Sequence, residues 1–272
     1  MKTRWMMMAG LVGLCGMVQA DFVMIGNPGN AADTADGDPI TTGVQRYGAV
    51  AYTYKISQYE VTIAQMRASG AGNGNETFWS ALGTNAPASR VSFYEAMKYC
   101  NWLTSGDANN GAYKFSGGVY QSTDRASAIT AYGKVYALPT EDEWYKAAYF
   151  KPDGSGYSRY ANGTSTVPAK SSDVSTGWNY DKALDPSKAW TVDKGTVEQN
   201  GTFNMMGNVW EWMETPIGVR RGGAYVHGLS YLSMTGRTSW APTTENEGVG
   251  FRVVEISPEP VIEKNKMVGL NR

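Results

Sequence analysis

Cysteine count is what most limits how this chain can fold. Its 272 residues hold two cysteines, Cys15 and Cys100. Cys15 lies in a segment that reads as a bacterial export signal. Lys2 and Arg4 open it, an apolar run from Trp5 to Val18 follows, and Val18-Gln19-Ala20 precedes Asp21. The apolar run is short for a bilayer span. Leu14 stands before Cys15, where a lipidation motif takes a small residue, so cleavage after Ala20 is the expected processing. The mature protein is then exported, to the periplasm, the cell surface or the medium, with no membrane span. It keeps one thiol and can close no internal disulfide. It has to be held by its core and by any bound metal.

The remaining cysteine sits in a helical pattern. Phe93, Ala96, Met97, Cys100 and Leu103 fall at helix-face spacing, with Ser92 as N-cap. Cys100 is therefore expected to be a buried, inert thiol. Thr62 caps a second short helix, Ile63 to Ala68, and Thr140 with Glu143 forms a capping-box signature for a third. Acids at 141–143 suit a helix start. Phe22 to Gly26 opens the mature chain as an apolar run, and Val50 to Val61 reads as one or two strands. Thr104 to Lys134 reads as a surface insertion with a hairpin near Tyr113 to Tyr120, and 151–200 has almost no periodicity. With 32 glycines and 18% charged residues, the chain suits a loop-rich α+β domain better than a helical bundle. Net charge is −1 with no basic block, which argues against nucleic-acid binding. The expected layout is a signal peptide at 1–20, one domain at 21–256 and a polar tail at 257–272.

Seven segments in order resemble the sulfatase-modifying-factor family, which includes the formylglycine-generating enzyme. They are Phe22 to Gly26, Tyr59-Glu60-Val61-Thr62, Val91 to Trp102, Leu138 to Trp144, Gly207-Asn208-Val209-Trp210-Glu211-Trp212, Arg221-Gly222-Gly223-Ala224-Tyr225, and Gly250-Phe251-Arg252. The resemblance implies one α+β domain of the C-type-lectin-like type with much irregular structure. It also implies structural calcium. The first ligand set would be the Asn204 side chain, the Gly207 and Val209 carbonyls and the Glu211 carboxylate, all oxygen donors of the kind calcium takes. A second set would start at Asn179 and the Tyr180 carbonyl, with Asp181, Asp185 or neither completing it. The other reading of the first loop is a glycine turn into a buried strand.

The family oxidase binds copper(I) through two cysteines placed after the Gly-Gly-Ser-Tyr/Trp segment, and with oxygen converts a substrate cysteine to formylglycine. This chain has no cysteine beyond Cys100. Counting from Gly222-Gly223, His227 takes the first cysteine's place; counting back from Arg237, the second falls near Leu229. His227 is the only histidine, and Met234 is its one soft candidate partner. A redox metal usually takes three or more good ligands, so copper or iron is not expected. His227 is the weak catalytic candidate, and the plainer expectation is a hydrogen-bonding loop residue. No nucleophile-elbow motif is present. Arg237 and Arg252 are expected to hold loops by charge-assisted bonds to carbonyls and acids.

The leading reading is a non-oxidase binding or accessory protein stabilised by calcium. Its ligand would be a peptide or carbohydrate, met on the loop from Tyr225 to Glu247, with Tyr225, His227, Arg237 and Trp240 as contact candidates. That loop also resembles the diversified one of lectin-like variable proteins, so a variable-loop ligand binder is an alternative. A divergent metal-dependent oxidoreductase is another. Ser257-Pro258-Glu259-Pro260 resembles a sorting signal, but lacks the apolar span and basic end.

Overall fold

A computed structural model describes residues 21–34, 46–72, 75–184 and 188–258. The expected signal peptide, Cys15, Asp185 and most of the tail lie outside these residues. The chain opens with β1 (Phe22–Ile25) and β2 (Tyr54–Ser57). Three helices follow: α1 (Ile63–Ser69), α2 (Glu76–Leu82) and α3 (Phe93–Ser105). A hairpin, β3 (Tyr113–Ser116) and β4 (Val119–Thr123), leads into α4 (Arg125–Tyr132), β5 (Val135–Ala137) and α5 (Glu141–Tyr149). After a long irregular stretch come β6 (Trp210–Trp212), β7 (Val219–Arg221), β8 (Thr238–Ser239), β9 (Val249–Gly250) and β10 (Val254–Ile256).

Two small sheets organise the molecule. One is antiparallel in the order β1-β2-β10-β5, so the last strand of the domain inserts between β2 and β5. The other runs β8-β7-β6-β9, with β6 and β9 parallel. β9 and β10 lie three residues apart in sequence and in different sheets, which joins the sheets through Phe251, Arg252 and Val253, all fully buried.

The three helix starts read from sequence are present, each as a complete capping box. Thr62, Ser92 and Thr140 accept from the amides of Gln65, Glu95 and Glu143, and those side chains bond back to the cap amides. Each box is worth about 1 kcal/mol. Cys100 is fully buried on α3, and burial pushes its thiol pKa well up, as an inert thiol requires.

Two helices were not expected. α2 is short and its N-cap Asn75 makes no side-chain cap bond; α4 lacks a strong apolar stripe and is marked by the Asp124 cap on the Ser127 amide and by Gly133 at its end. The segment 104–134 is also no mere surface insertion. Ala112, Tyr113 and Ala128 are core residues, and Asn101 on α3 binds the Tyr113 amide and carbonyl. Of 50–61, only Tyr54–Ser57 is a strand. The described residues of 151–200 form no named element, in keeping with the missing periodicity, yet they bury Tyr160, Trp178, Asn179 and Trp190.

Candidate functional site

Buried ion pairs position the second sheet. Arg252 gives Nε and Nη2 to the two Glu211 oxygens at 2.7 and 2.8 Å, and its other bonds go to the carbonyls of Ser57, Gln58 and Phe203. Glu211 also accepts from Trp144 Nε1 at 2.7 Å. Glu141, at the start of α5, receives both Arg221 and Arg237, at 2.7 and 2.9 Å. Arg221 further holds the carbonyls of Met234 and Gly236. Both arginines expected to act on the fold, Arg237 and Arg252, thus do so. The acids of α5 do more than favour a helix start. Glu143 meets Arg125, as does Glu214.

These pairs fix the turn at Gly222-Gly223, from which the loop 225–247 departs. Tyr225 is buried against Ala189 and Val209, so it serves the loop's base. His227 Nδ1 accepts from Trp210 Nε1 at 3.2 Å, which places the neutral ring's proton on Nε2. The imidazole sits edge-on to Trp210 and Tyr231, each 5.3 Å away between ring centres. Burial, and then the charge of Arg220, lower its pKa from 6.5, so it is neutral at pH 7. Trp240 stacks on Arg220 with 3.6 Å from guanidinium carbon to ring centre. Trp240, Tyr231 and Val226 are each about two-fifths exposed. Of the four contact candidates, the structure packs His227 on Trp210 and stacks Trp240 on Arg220. It commits Arg237 to Glu141 and turns Tyr225 inward. Arg220 and Tyr231 were missed. The signal for Arg220 was its place in β7, one residue out of phase with Arg221.

The two expected calcium segments meet in one buried knot. Asn179 Nδ2 donates to Asn208 Oδ1 and to the Lys188 carbonyl, while Asn208 Nδ2 reaches both oxygens of Glu60. A Cβ at Gly207, where φ is +86°, would run into the Asn179 carbonyl, so this crossing requires glycine. Asn204 Nδ2 donates to the Val192 carbonyl, and Val209 is buried behind Tyr225. Tyr180 points its hydroxyl at the Pro168 carbonyl. As a calcium site the first set fits poorly, because both Glu211 oxygens already answer Arg252. The second fits better at one atom: Asn179 Oδ1 is buried without a partner. Among the described residues no three His, Cys, Asp or Glu side chains converge as a metal-holding group.

Glu198 adds a pH dependence to this region. Burial raises its pKa to about 7, against the lowering effect of Arg252 and of bonds from Met205, Thr202 and Trp178. The folded protein then holds a proton between the ordinary carboxyl range and about pH 7 that the unfolded chain has lost. Stability from this group is fully present below that window and falls as pH rises through it, by on the order of 3 kcal/mol. Glu198→Gln should remove that slope. Thermal melts of both proteins from pH 4.5 to 8 check this; parallel curves would mean Glu198 is ionised throughout.

The fold and ion-pair frame define an α+β domain in which short sheets carry long, charge-anchored loops. A profile of the family described as "Sulfatase-modifying factor enzyme 1-like domain" matches residues 52–256, and the chain belongs to that family. Among solved structures, CarF superposes with a TM-score of 0.62 at 21% identity, covering 87% of this chain and 98% of its own. Treponema denticola variable protein 1 gives 0.58 at 20%, covering 86% and 94%. PvdO from Pseudomonas aeruginosa gives 0.54 at 18%, covering 86% and 93%. At these identities the likeness is one of fold. No curated protein matches the chain by sequence. No helix among the described residues is long and apolar enough to cross a membrane.

Proposed function

We infer that this chain is an exported binding or accessory protein of the sulfatase-modifying-factor family, and that it recognises a peptide or carbohydrate with the loop from Tyr225 to Glu247. The observation that carries this reading is the exposed aromatic face at that loop. Tyr231, packed on the buried Trp210, and Trp240, stacked on Arg220, stand 40% and 39% exposed, and such large, rigid, amphipathic side chains suit ligand contact. The thiols on which the family's copper(I) chemistry depends have no counterpart there. His227 stands at the first position with Nδ1 already bonded to Trp210. Treponema denticola variable protein 1 shares this fold, and a variable protein on it supports a loop-borne binding role.

The test is retention on immobilised peptide and oligosaccharide libraries. Tyr231→Ala and Trp240→Ala should each weaken capture at least tenfold while leaving the melting temperature within a few degrees, since both side chains lie at the surface and outside the core. Equal capture by the variants would remove the loop from the function. Structural calcium belongs to the same proposal, supported by the orphaned Asn179 Oδ1. A chelator should lower the melting temperature of the wild type and leave Asn179→Ala unmoved.

A further inference from the structure

One arginine of the second sheet has no counter-charge. Arg125, Arg221, Arg237 and Arg252 each close on a carboxylate. Arg220 is as fully buried as Arg221, yet Nε, Nη1 and Nη2 have no hydrogen-bond partner among the described residues. Its surroundings are indole rings. The guanidinium carbon lies 3.6 Å from the centre of Trp240, 5.4 Å from Trp212 and 5.6 Å from Trp210. Ring faces attract a cation but do not replace the oxygen acceptors that a guanidinium fork takes. Burial alone pushes its pKa down to about 9, the direction expected of a cation short of counter-charge.

Of the three indoles around this cation, only Trp240 is open to solvent. Trp240 lies directly on the guanidinium, and its outer side is open to solvent. It follows the two-residue β8, the edge strand of its sheet. Trp210, the inner wall, also touches His227 and the exposed Tyr231. A charged floor therefore adjoins an aromatic rim.

We propose that Arg220, boxed by Trp210, Trp212 and Trp240, anchors the carboxylate of an aromatic or other apolar ligand, with Trp240 swinging aside as the carboxylate enters. The planar fork matches a carboxylate through two parallel N–H bonds, and the displaced indole can close over the apolar body of the ligand. The inference rests on the loop being a binding surface and adds the class of group it selects. A free aromatic acid and the C-terminus of a peptide share this chemistry.

The test uses the full chain with N-acetylphenylalanine as its carboxylate and as its uncharged amide. A phenylalanine-ending peptide with a free or an amidated C-terminus forms the second arm. At tenfold excess over its dissociation constant the carboxylate should raise the melting temperature by about 3–6 °C, and the amide should not. His227 is the only histidine, so its ring protons give a single NMR titration curve. Because the charge of Arg220 lowers its pKa, bound carboxylate should move that curve upward. Arg220→Met should abolish both responses while keeping or raising the melting temperature of the free protein, because an unpaired buried cation has been removed. Should that variant misfold, Arg220→Lys keeps the charge, loses the fork, and should weaken the response at least tenfold. A stronger response to the free peptide end than to the small acid assigns the carboxylate to a chain terminus, and the reverse assigns it to a free acid. The inference is overturned if the amide acts like the acid, if neither shifts the wild type, or if the response survives in Arg220→Met. Library capture that is lost in Tyr231→Ala yet indifferent to Arg220→Met and to competing acid would leave the loop reading standing and remove this one.

Discussion

Arg252→Met should leave little folded protein at 37 °C. The substitution leaves the fully buried Glu211 without its cation, beside the buried carboxyls of Glu60 and Glu198. It also strips acceptors' partners from the carbonyls of Ser57, Gln58 and Phe203. Removing one member of a buried pair costs about 3–5 kcal/mol, against a total stability of about 5–15 kcal/mol for a typical domain. Replacing both members, as in Glu211→Met with Arg252→Met, should recover much of the loss, because no lone charge remains. Denaturant melts of the two single variants and the double variant measure this. If Arg252→Met melts like the wild type, the ion pair is not what joins the two sheets.

The second large effect is expected at Arg125, where the loss should depend on pH. Arg125 meets Glu143 at 2.8 Å and closes tightly on Glu214, and its Nη2 also reaches the Leu138 carbonyl. Both acids are almost wholly enclosed. Glu143 is held below the ordinary carboxyl range by Arg125, by Tyr52 and by the Thr140 amide, against its own burial. Arg125→Leu should destabilise the protein by about 3–5 kcal/mol at pH 7. Without the arginine the pKa of Glu143 should rise above its unfolded value, and that of Glu214, which burial already raises, should rise further, so part of the loss should return as pH falls toward 5. A penalty that stays constant from pH 7 to 5 would show that the acids do not carry the strain.

Glu143 shows why the sequence was legible only in part. Thr140 and Glu143 stand three residues apart, so a local rule finds the capping box. The same carboxylate also serves Arg125 and Tyr52, 18 and 91 residues away, which no local rule can find. Ser92 and Thr62 were readable for the same reason as Thr140. Arg125 was read as part of a surface insertion because the helix it opens lacks an apolar stripe; its burial comes from charge rather than hydrophobicity. The family resemblance fixed the α+β domain and the roles of Arg237 and Arg252. It also suggested Glu211 as a calcium ligand, where the structure gives that carboxylate to Arg252. Arg220 carries no local signal of its own, because adjacent residues of a strand face opposite sides and only Arg221 belongs to the Arg-Gly-Gly segment. Only the packing of three indoles shows that the two arginines point to opposite environments.

On the proposed function, the loop after Gly222-Gly223 binds rather than oxidises. The most direct test incubates the purified chain with copper(I), oxygen and a set of cysteine-containing peptides, then reads the peptides by mass spectrometry. Every peptide should return with its cysteine unchanged. Formylglycine in any of them, formed by the wild type and lost in His227→Ala, would contradict it and make His227 part of an oxidase centre.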